Sequence, residues 1–276
     1  MILHQLIYYL HYSIYLIKYL YKYKLTVICI MENLILYSSP FTKKRIGKNN
    51  DGGYVTVTLP DTYDLFISGG VSDDISFEEH LLQLHPNLLC YAFDGTVSNL
   101  PNNNKNSRII FIKKNLGNYN NDNLTNLQEY IEPYNNIFMK IDIEGHEFRV
   151  MPSIIEKNCM KKIKQLVIEI HSPADIKMFP NYFKGLHDIN NKNMFDLLNK
   201  INNTHTLVHF HANNGCNLQK IDEICLPHVF ELTYIRNDFV TQKIKNKESL
   251  PTILDMKNIT YKDDYTFKGF PYSCNI

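Results

Sequence analysis

The sequence lacks several features that mark common classes of protein. Its six cysteines include no C-x-x-C pair, so neither a zinc ribbon nor a disulfide scaffold is indicated in a chain of 276 residues. Lysine and arginine number 29 against 28 acidic residues, and the net charge of +1 gives no sign of a basic surface for nucleic acid. Free thiols are typical of a reducing compartment, and we therefore expect a cytoplasmic protein that does not bind nucleic acid.

The composition is that of a folded protein. Hydrophobic residues make up 44% of the chain and charged residues 21%, which excludes wholesale disorder and is enough for one large core. No internal repeat or second domain is visible. The sequence predicts a single domain over residues 31–276, preceded by an apolar helical extension over residues 1–30.

That N-terminal extension is unlike the rest of the chain. Residues 2–30 contain no acidic side chain, and their apolar residues recur at helical spacings of three and four. Polar residues such as His11 and Lys18 interrupt the run of roughly 20 apolar residues that a membrane span needs. Three interpretations stay open: a helix that contacts a membrane, an upstream extension with Met31 as the functional start, and a helix packed on the domain. In all three we expect no chemistry from this segment.

From residue 34 onward, short apolar runs rich in β-branched and aromatic residues alternate with helical patterns. This alternation predicts βαβ units, and therefore an α/β fold with a mostly parallel sheet and helices on both faces. The predicted strands are residues 54–59, 65–68, 88–93, 109–113, 137–141, 166–170, 206–210 and 229–235. The predicted helices are residues 77–84, 124–131, 147–156 and 193–201.

Polar residues follow five of these strands. They are Gly69, Gly70 and Ser72, then Asp94, then Asp142, Glu144 and Glu147, then His171, and finally His211 and Asn213. Each group alone has an ordinary structural explanation, such as a turn or a charge at a helix N-terminus. Because ligands of open α/β sheets bind outside the carboxyl ends of the strands, their convergence predicts a functional site at that edge.

Residues 140–147, KIDIEGHE, resemble the K-I-D-V-E-G-x-E signature of FkbM-type S-adenosylmethionine-dependent methyltransferases. Four further pieces are similar to a branch of that family: DGGY at 51–54, SFE at 76–78, FD at 93–94 and EIH at 169–171, the last followed by His211 and Asn213. The resemblance spans roughly residues 45–235. In place of the usual G-x-G-x-G of the cofactor loop, this chain has GGVSD at 69–73.

The resemblance implies a class I methyltransferase (Rossmann-like) fold, in which a seven-stranded sheet has its last strand antiparallel. S-adenosylmethionine would lie across the carboxyl ends of the strands. By this resemblance Asp94 would bind the ribose hydroxyls, and Asp142 would face the amino group or the sulfonium. The full set of implied cofactor-binding residues is Asp51, Gly52, Gly69, Gly70, Ser72, Asp94 and Asp142.

The family also implies that the methyl acceptor is a hydroxyl of a glycan or small molecule. A hydroxyl is a poor nucleophile until its proton is removed, so a general base is expected. The predicted catalytic residues are His171, Glu144 and Asp142, and His171 is favoured as the base because its ordinary pKa lies near neutrality. His146 fits a solvent-facing residue of the first helical turn better. The predicted site contains no metal.

Two other functions are compatible with the sequence. His205, His209 and His211 could bind the metal of a hydrolase, since residues 209 and 211 point to one face of a strand. No carboxylate motif of known spacing accompanies these histidines, which makes this alternative weaker. A catalytically inactive binding module of the same fold is the other, although the acidic residues Asp94 and Asp142 argue against it.

Overall fold

The computed structural model describes residues 31–101, 106–221 and 224–274. The predicted N-terminal helical extension lies outside the described residues. Within the described ranges, no helix combines the length and the apolar character that crossing a membrane requires.

The described elements alternate as the sequence predicts. The strands are β1 (Lys43–Ile46), β2 (Tyr54–Val57), β3 (Leu65–Gly69), β4 (Cys90–Phe93), β5 (Ile109–Ile112), β6 (Asn115–Leu116), β7 (Leu124–Thr125), β8 (Ile137–Ile141), β9 (Ile163–His171), β10 (His205–Ala212), β11 (Leu218–Ile221), β12 (Ile224–Pro227) and β13 (Val229–Arg236). The helices are α1 (Ser76–Leu84), α2 (Gln128–Ile131), α3 (Glu147–Glu156), α4 (Pro173–Met178) and α5 (Asn191–Asn202), with short 3₁₀ turns at Cys159–Lys162 and Asn237–Phe239.

Seven strands form the central sheet, in the spatial order β10-β13-β9-β8-β3-β4-β5. Strands β3, β4, β5, β8 and β9 run parallel, and β13 is antiparallel to both of its neighbours, β9 and β10. The predicted class I methyltransferase topology is thereby confirmed. Because the carboxyl ends of the parallel strands share one edge, the residues that follow β3, β4, β8 and β9 are brought to the same side of the molecule.

Both faces of the sheet are covered. Every residue of β3, β8 and β9 is buried, as expected for strands between two helical layers. Side chains alternate between the layers: Leu65 and Ile67 belong to the core that contains α3 and α5, whereas Phe66 belongs to the core that contains α1. The prediction of helices on both faces is confirmed.

One predicted helix is wrong over its first half. Residues 124–125 form β7, which pairs with β6, and the helix begins only at Gln128. The Thr125 hydroxyl accepts a hydrogen bond from the amide of Leu127, and Leu127 adopts a left-handed φ of 65°. This local turn breaks the helical pattern that the apolar spacing suggested. Strand β1, the β11–β12 hairpin and helix α4 were not predicted from the sequence.

Candidate active site

The ends of the neighbouring parallel strands β8 and β9 carry the three residues that the sequence predicts to be catalytic. Asp142 follows β8 directly, Glu144 lies two residues further on, and His171 is the last residue of β9. One ligand-type atom from each of the three side chains lies within 4.8 Å of the other two. His171 Nε2 is 3.2 Å from Glu144 Oε2. The structure thus brings the predicted catalytic residues into one cluster.

A tight turn after β8 presents Glu144 to this cluster. Glu144 has a left-handed φ of 55°, and Gly145 follows with a φ of 82°. A Cβ atom at Gly145 would lie 2.7 Å from Leu186 Cδ1, so glycine is needed where the turn packs against the chain after α4. The side chain of Glu144 is half-exposed, with 51% of its surface accessible, and it can be reached from solvent.

Buried carboxyl groups surround the imidazole of His171. Its Nδ1 lies 2.8 Å from Oδ2 of the buried Asp175 on α4. Burial lowers the pKa of His171, but the hydrogen bond to Asp175 and the nearby Glu147 and Glu169 carboxyls outweigh it and raise the pKa to about 10. The pKa of His171 thus lies well above the ordinary value near neutrality for which the sequence favoured it as the base. Both ring nitrogens are engaged, and the ring holds its proton at pH 7.

A tyrosine hydroxyl links Asp142 to a further carboxyl. Tyr54 Oη lies 2.7 Å from Asp142 Oδ2 and 3.2 Å from Glu169 Oε2. Burial, and after it the charge of Asp142, raise the pKa of Tyr54 well above its usual value, so the hydroxyl stays protonated and can donate. Lys140 approaches Asp142 from the sheet side, with Nζ 3.8 Å from Oδ2.

Sequence reasoning missed Tyr54, Glu169 and Asp175 as members of the site. Tyr54 and Glu169 stand inside the family-like segments DGGY and EIH, which was the available signal, but nothing in the sequence joins residues that lie 115 positions apart. Asp175 lies one helical turn after His171, just beyond the Ser172 cap of α4, and that spacing alone is too common to indicate a function.

An open cleft of about 330 Å³ lies over the cluster. Five of its lining residues carry carboxyl groups, namely Asp51, Asp142, Glu144, Glu169 and Asp175, and no lysine or arginine is among the described residues that line it. One wall is aromatic and includes Phe179 and Tyr182, which are 51% and 64% exposed. The cleft therefore combines an acidic floor with an exposed aromatic wall.

The predicted cofactor loop after β3 packs directly on the Asp142 turn. Gly69 accepts a hydrogen bond from the Asp142 amide through its carbonyl oxygen (3.0 Å). A Cβ atom on Gly70 would lie 1.7 Å from the Asp142 carbonyl oxygen, and Gly70 has a φ of 77°. No other residue fits there without moving the backbone. The contact with Asp142 explains Gly70 before any ligand is considered.

Asp94 joins the turn after β3 to the turn after β4. Its Oδ2 accepts a hydrogen bond from the Ser72 amide (2.9 Å), and its Oδ1 accepts hydrogen bonds from the Thr96 amide (2.7 Å) and hydroxyl (2.6 Å). Burial raises the pKa of Asp94, but the bonds from Thr96 and Ser72 outweigh it, and the net effect is a lowered pKa. Asp94 is 7% exposed and stays ionised at the edge of the sheet.

The predicted cofactor residues fall into two groups. Asp51 and Asp142 line the acidic cleft, whereas Gly52, Gly69, Gly70, Ser72 and Asp94 are not among its lining residues. Gly52 packs beside the ion pair between Lys48 and Asp74, because a Cβ there would lie 2.6 Å from Asp74 Oδ2. The edge of the sheet thus has a β3–β4 side, with Asp94, and a β8–β9 side, with the cleft, joined at Asp142.

The chemistry of these groups fits S-adenosylmethionine. The cofactor carries a sulfonium and an ammonium group, and the acidic cleft, whose described lining residues include no lysine or arginine, suits both charges. Its ribose has two hydroxyl donors, for which the ionised Asp94 is a suitable acceptor type. The residues that would hold it are the loop 69–72, Asp94 and Asp142.

The three histidines of the alternative hydrolase do not form a site. His205 Nε2 lies 2.9 Å from the carbonyl oxygen of Ile163, inside the core. His209 pairs with Asp255, with Nε2 2.7 Å from Oδ1. His211 lies between Glu231 and Asp264. Within the described ranges, the group with the spacing of metal ligands is Asp142, Glu144 and His171 instead.

Comparison with known families gives one match that covers more than half of the chain. Residues 37–192 match the methyltransferase FkbM domain. No curated protein sequence matches the chain.

Several solved methyltransferase-like structures resemble it weakly. The fibrillarin pre-rRNA processing protein of Methanococcus jannaschii aligns with 13% identity and a TM-score of 0.36, over 70% of this chain and 82% of its own. The plantazolicin methyltransferase BpumL, solved with a desmethylPZN analog and SAH, aligns with 8% identity and a TM-score of 0.36, over 64% of this chain and 77% of its own.

Proposed function

The chain belongs to the FkbM methyltransferase family, and on this premise we propose that it methylates a hydroxyl oxygen of a glycan or small molecule. Membership makes the chain an S-adenosylmethionine-dependent methyltransferase. When bound, the cofactor would supply a methyl group attached to a positively charged sulfur, and the acceptor oxygen would displace that sulfur in line. The observation that carries the proposal is the convergence of Asp142, Glu144 and His171 on one open cleft.

We assign cofactor binding to the β3–β4 side of the edge. The amides of the loop 69–72 and the carboxylate of Asp94 would hold it there, with Asp142 at the junction with the cleft. Asp51 also lines the cleft and accepts a hydrogen bond from Asn258, whose Nδ2 lies 3.3 Å from Asp51 Oδ1. Asp51 is therefore placed to close the pocket over bound groups, whereas Gly52 serves the backbone turn.

Glu144 is the group that takes the proton of the acceptor hydroxyl. Both ring nitrogens of His171 already contact carboxylates, so the ring has no free nitrogen for that proton. The half-exposed carboxylate of Glu144 is accessible from the cleft and is held by His171 Nε2. His171 is then a positioning residue. A correctly placed general base contributes roughly 10²–10⁴ to a rate.

The aromatic wall favours a sugar-like acceptor. Exposed aromatic rings such as Phe179 and Tyr182 present an apolar face beside the acidic floor. A sugar has the same combination, with apolar C–H faces and hydroxyl donors at its rim, and the carboxylates would accept hydrogen bonds from those hydroxyls. The acidic lining opposes a phosphate-rich acceptor such as RNA.

The test combines calorimetry and methyl labelling. S-adenosylmethionine should bind the full chain, and the tritiated methyl group should pass to polysaccharide or small hydroxyl compounds as an ether that survives mild alkali. Label that alkali releases as methanol would indicate a carboxyl acceptor, and label in protein or RNA would indicate another acceptor class. Either result would refute the proposal.

Variants test the assignment of the base. Glu144→Gln should lower the transfer rate by about 10²–10⁴ with little change in cofactor affinity. His171→Gln should lower it less, because a positioning role can be kept in part by an amide. The matched control is Glu156→Gln at the exposed end of α3, which should leave the rate unchanged. Full activity of Glu144→Gln would show that Glu144 is not the base.

A further inference from the structure

We propose that Asp142, Glu144 and His171 bind a divalent cation of the Mg²⁺ or Mn²⁺ kind in the cleft. The inference deepens the proposed function, because it concerns how the same cleft activates a hydroxyl. Mn²⁺ readily binds a ligand set of two carboxylates and one imidazole. Mg²⁺ binds such a set mainly through the carboxylate oxygens. All three side chains come from the ends of two adjacent rigid strands or the turn between strand and helix.

The spacing of the three side chains matches one cation. Ligand atoms about 2.1 Å from an octahedral ion lie roughly 3.0–4.2 Å from one another. Here His171 Nε2 and Glu144 Oε2 are 3.2 Å apart, and the atoms of all three residues lie within 4.8 Å. The Asp142 and Glu144 side chains are 25% and 51% exposed, and small movements of these two side chains would close the remaining gap. Three protein ligands would leave positions for water or for acceptor oxygens.

The surroundings of His171 supply an independent observation. A histidine ligand usually donates its other ring N–H to a carboxylate, which fixes the ring and raises the basicity of the ligating nitrogen. Asp175 does this here: its Oδ2 lies 2.8 Å from Nδ1, and its side chain is only 5% exposed. The contact directs Nε2 toward Glu144 and Asp142. A cation at that position would take the place of the proton on Nε2.

Two further carboxyl groups at this place are nearly fully buried, and one of them has an oxygen without a partner. Glu169 is 6% exposed and lines the cleft, and among the described residues its side chain accepts one hydrogen bond, from Tyr54 to Oε2. Glu147 is fully buried, accepts the His171 amide through Oε1, and has no partner for Oε2. A buried carboxyl oxygen without a donor is costly, and a positive group bound nearby would lower that cost.

A cation explains how a weak base suffices. A bound divalent ion lowers the pKa of an oxygen acid that coordinates it, so the acceptor hydroxyl would lose its proton more easily. A carboxylate has two oxygens, and Glu144 can bind the ion through one of them and accept the proton through the other. The cation and the general base are thus compatible at one residue.

The experiment measures Mn²⁺ binding directly, by electron paramagnetic resonance of free Mn²⁺ titrated with the full chain after treatment with a chelator. The parent protein should bind one ion. Glu144→Gln and His171→Gln should each raise the Kd for Mn²⁺ about a hundredfold or more. Asp175→Asn should raise it by about 10–100-fold, the range for a residue that orients a ligand. The control Glu156→Gln should bind as the parent does.

Folding and cofactor binding are checked on the same samples. Melting curves without metal show whether a variant is folded, and a half-exposed residue such as Glu144 should tolerate glutamine. Absence of Mn²⁺ binding by the parent, or equal Kd values in parent and variants, would overturn the cation site. If S-adenosylmethionine still binds in that case, the proposed methyl transfer stands. Mn²⁺ binding without cofactor binding would support the cation site and count against the proposed function.

Discussion

Asp94 offers the sharpest test of the cofactor side, because its carboxylate can be changed to an amide of nearly the same shape. In the structure the donors at that carboxylate include the Ser72 amide at Oδ2, and the amide and hydroxyl of Thr96 at Oδ1. In Asp94→Asn one of the two oxygens becomes an NH₂ group. Whichever way the amide turns, that group faces a donor, and at least one charge-assisted hydrogen bond is lost.

The substitution should change two free energies, that of unfolding and that of cofactor binding. A hydrogen bond to a charged group contributes about 1.5–3 kcal/mol, so the free energy of unfolding without cofactor should fall by roughly that amount. If Asp94 also accepts the ribose hydroxyls, the Kd for the cofactor should rise at least tenfold, or about 1.4 kcal/mol. At a concentration of 100 times the parent Kd, the cofactor stabilises the parent by about 2.7 kcal/mol, and should stabilise the variant by only about 1.4 kcal/mol.

Urea unfolding with and without S-adenosylmethionine separates the two effects, and calorimetry gives the Kd directly. Asp73→Asn is the control, since Asp73 lies exposed in the same turn and should change neither quantity. If the variant loses stability without cofactor and yet is stabilised by the cofactor by the same amount as the parent, about 2.7 kcal/mol, that result would show that Asp94 only joins the two turns. A variant as stable as the parent would contradict the hydrogen-bond argument itself.

Two further predictions concern the fold. Burial lowers the pKa of His205 to about 4, so the ring is neutral in the native state, whereas an unfolded ring with a pKa near 6.5 takes up a proton first. The titration of His205 should therefore lower the free energy of unfolding by about 2 kcal/mol between pH 7.5 and 5. Urea unfolding of His205→Gln should not show that decrease. An equal decrease in the variant would show that another group causes it. A chain starting at Met31 should keep its melting temperature and cofactor affinity, because every proposed site residue lies beyond residue 50 and the core residues Leu34 and Leu36 are retained. Unfolding of the shortened chain would place the extension in the core, and recovery of only the full chain in membrane pellets would indicate an anchor.

The sequence predicts the edge of the sheet well because strands and their ends are determined locally. Apolar runs that end in Asp94, Asp142 or His171 are visible as such, and parallel strands place their ends side by side regardless of detail. The same reasoning fails for β1 and for the β11–β12 hairpin. Strands β1 and β11 consist mainly of exposed and half-exposed positions, which leave no apolar run to recognise, and the short apolar β12 has no recognisable hairpin partner without β11.

The properties of individual side chains were less predictable, because they depend on contacts between distant parts of the chain. The combined effect of Asp175, Glu147 and Glu169 moves the pKa of His171 far from the ordinary value. Glu147 lies 24 positions away, and the closeness of Asp175 and Glu169 in sequence does not show that all three carboxyl groups surround the ring. Tyr54 reaches Asp142 across 88 positions. Such contacts decide whether a histidine acts as a base or positions one, and only the folded chain supplies them.

The acidity of the cleft raises a problem that the arrangement around His171 resolves. Carboxylates that attract a sulfonium also resist its loss of charge, because they stabilise the charged reactant more than the transition state in which that charge is disappearing. Cleft carboxylates such as Asp142 and Glu144, with no lysine or arginine among the described lining residues, would therefore favour binding and slow transfer. A positive charge among Glu144, Glu169 and Asp175, either on the protonated ring of His171 or on the divalent cation that His171 would bind, offsets the field of those carboxylates. The sulfonium can then lose its charge at less cost, while the acceptor oxygen, which gains negative charge before it attacks, is stabilised by the same positive group.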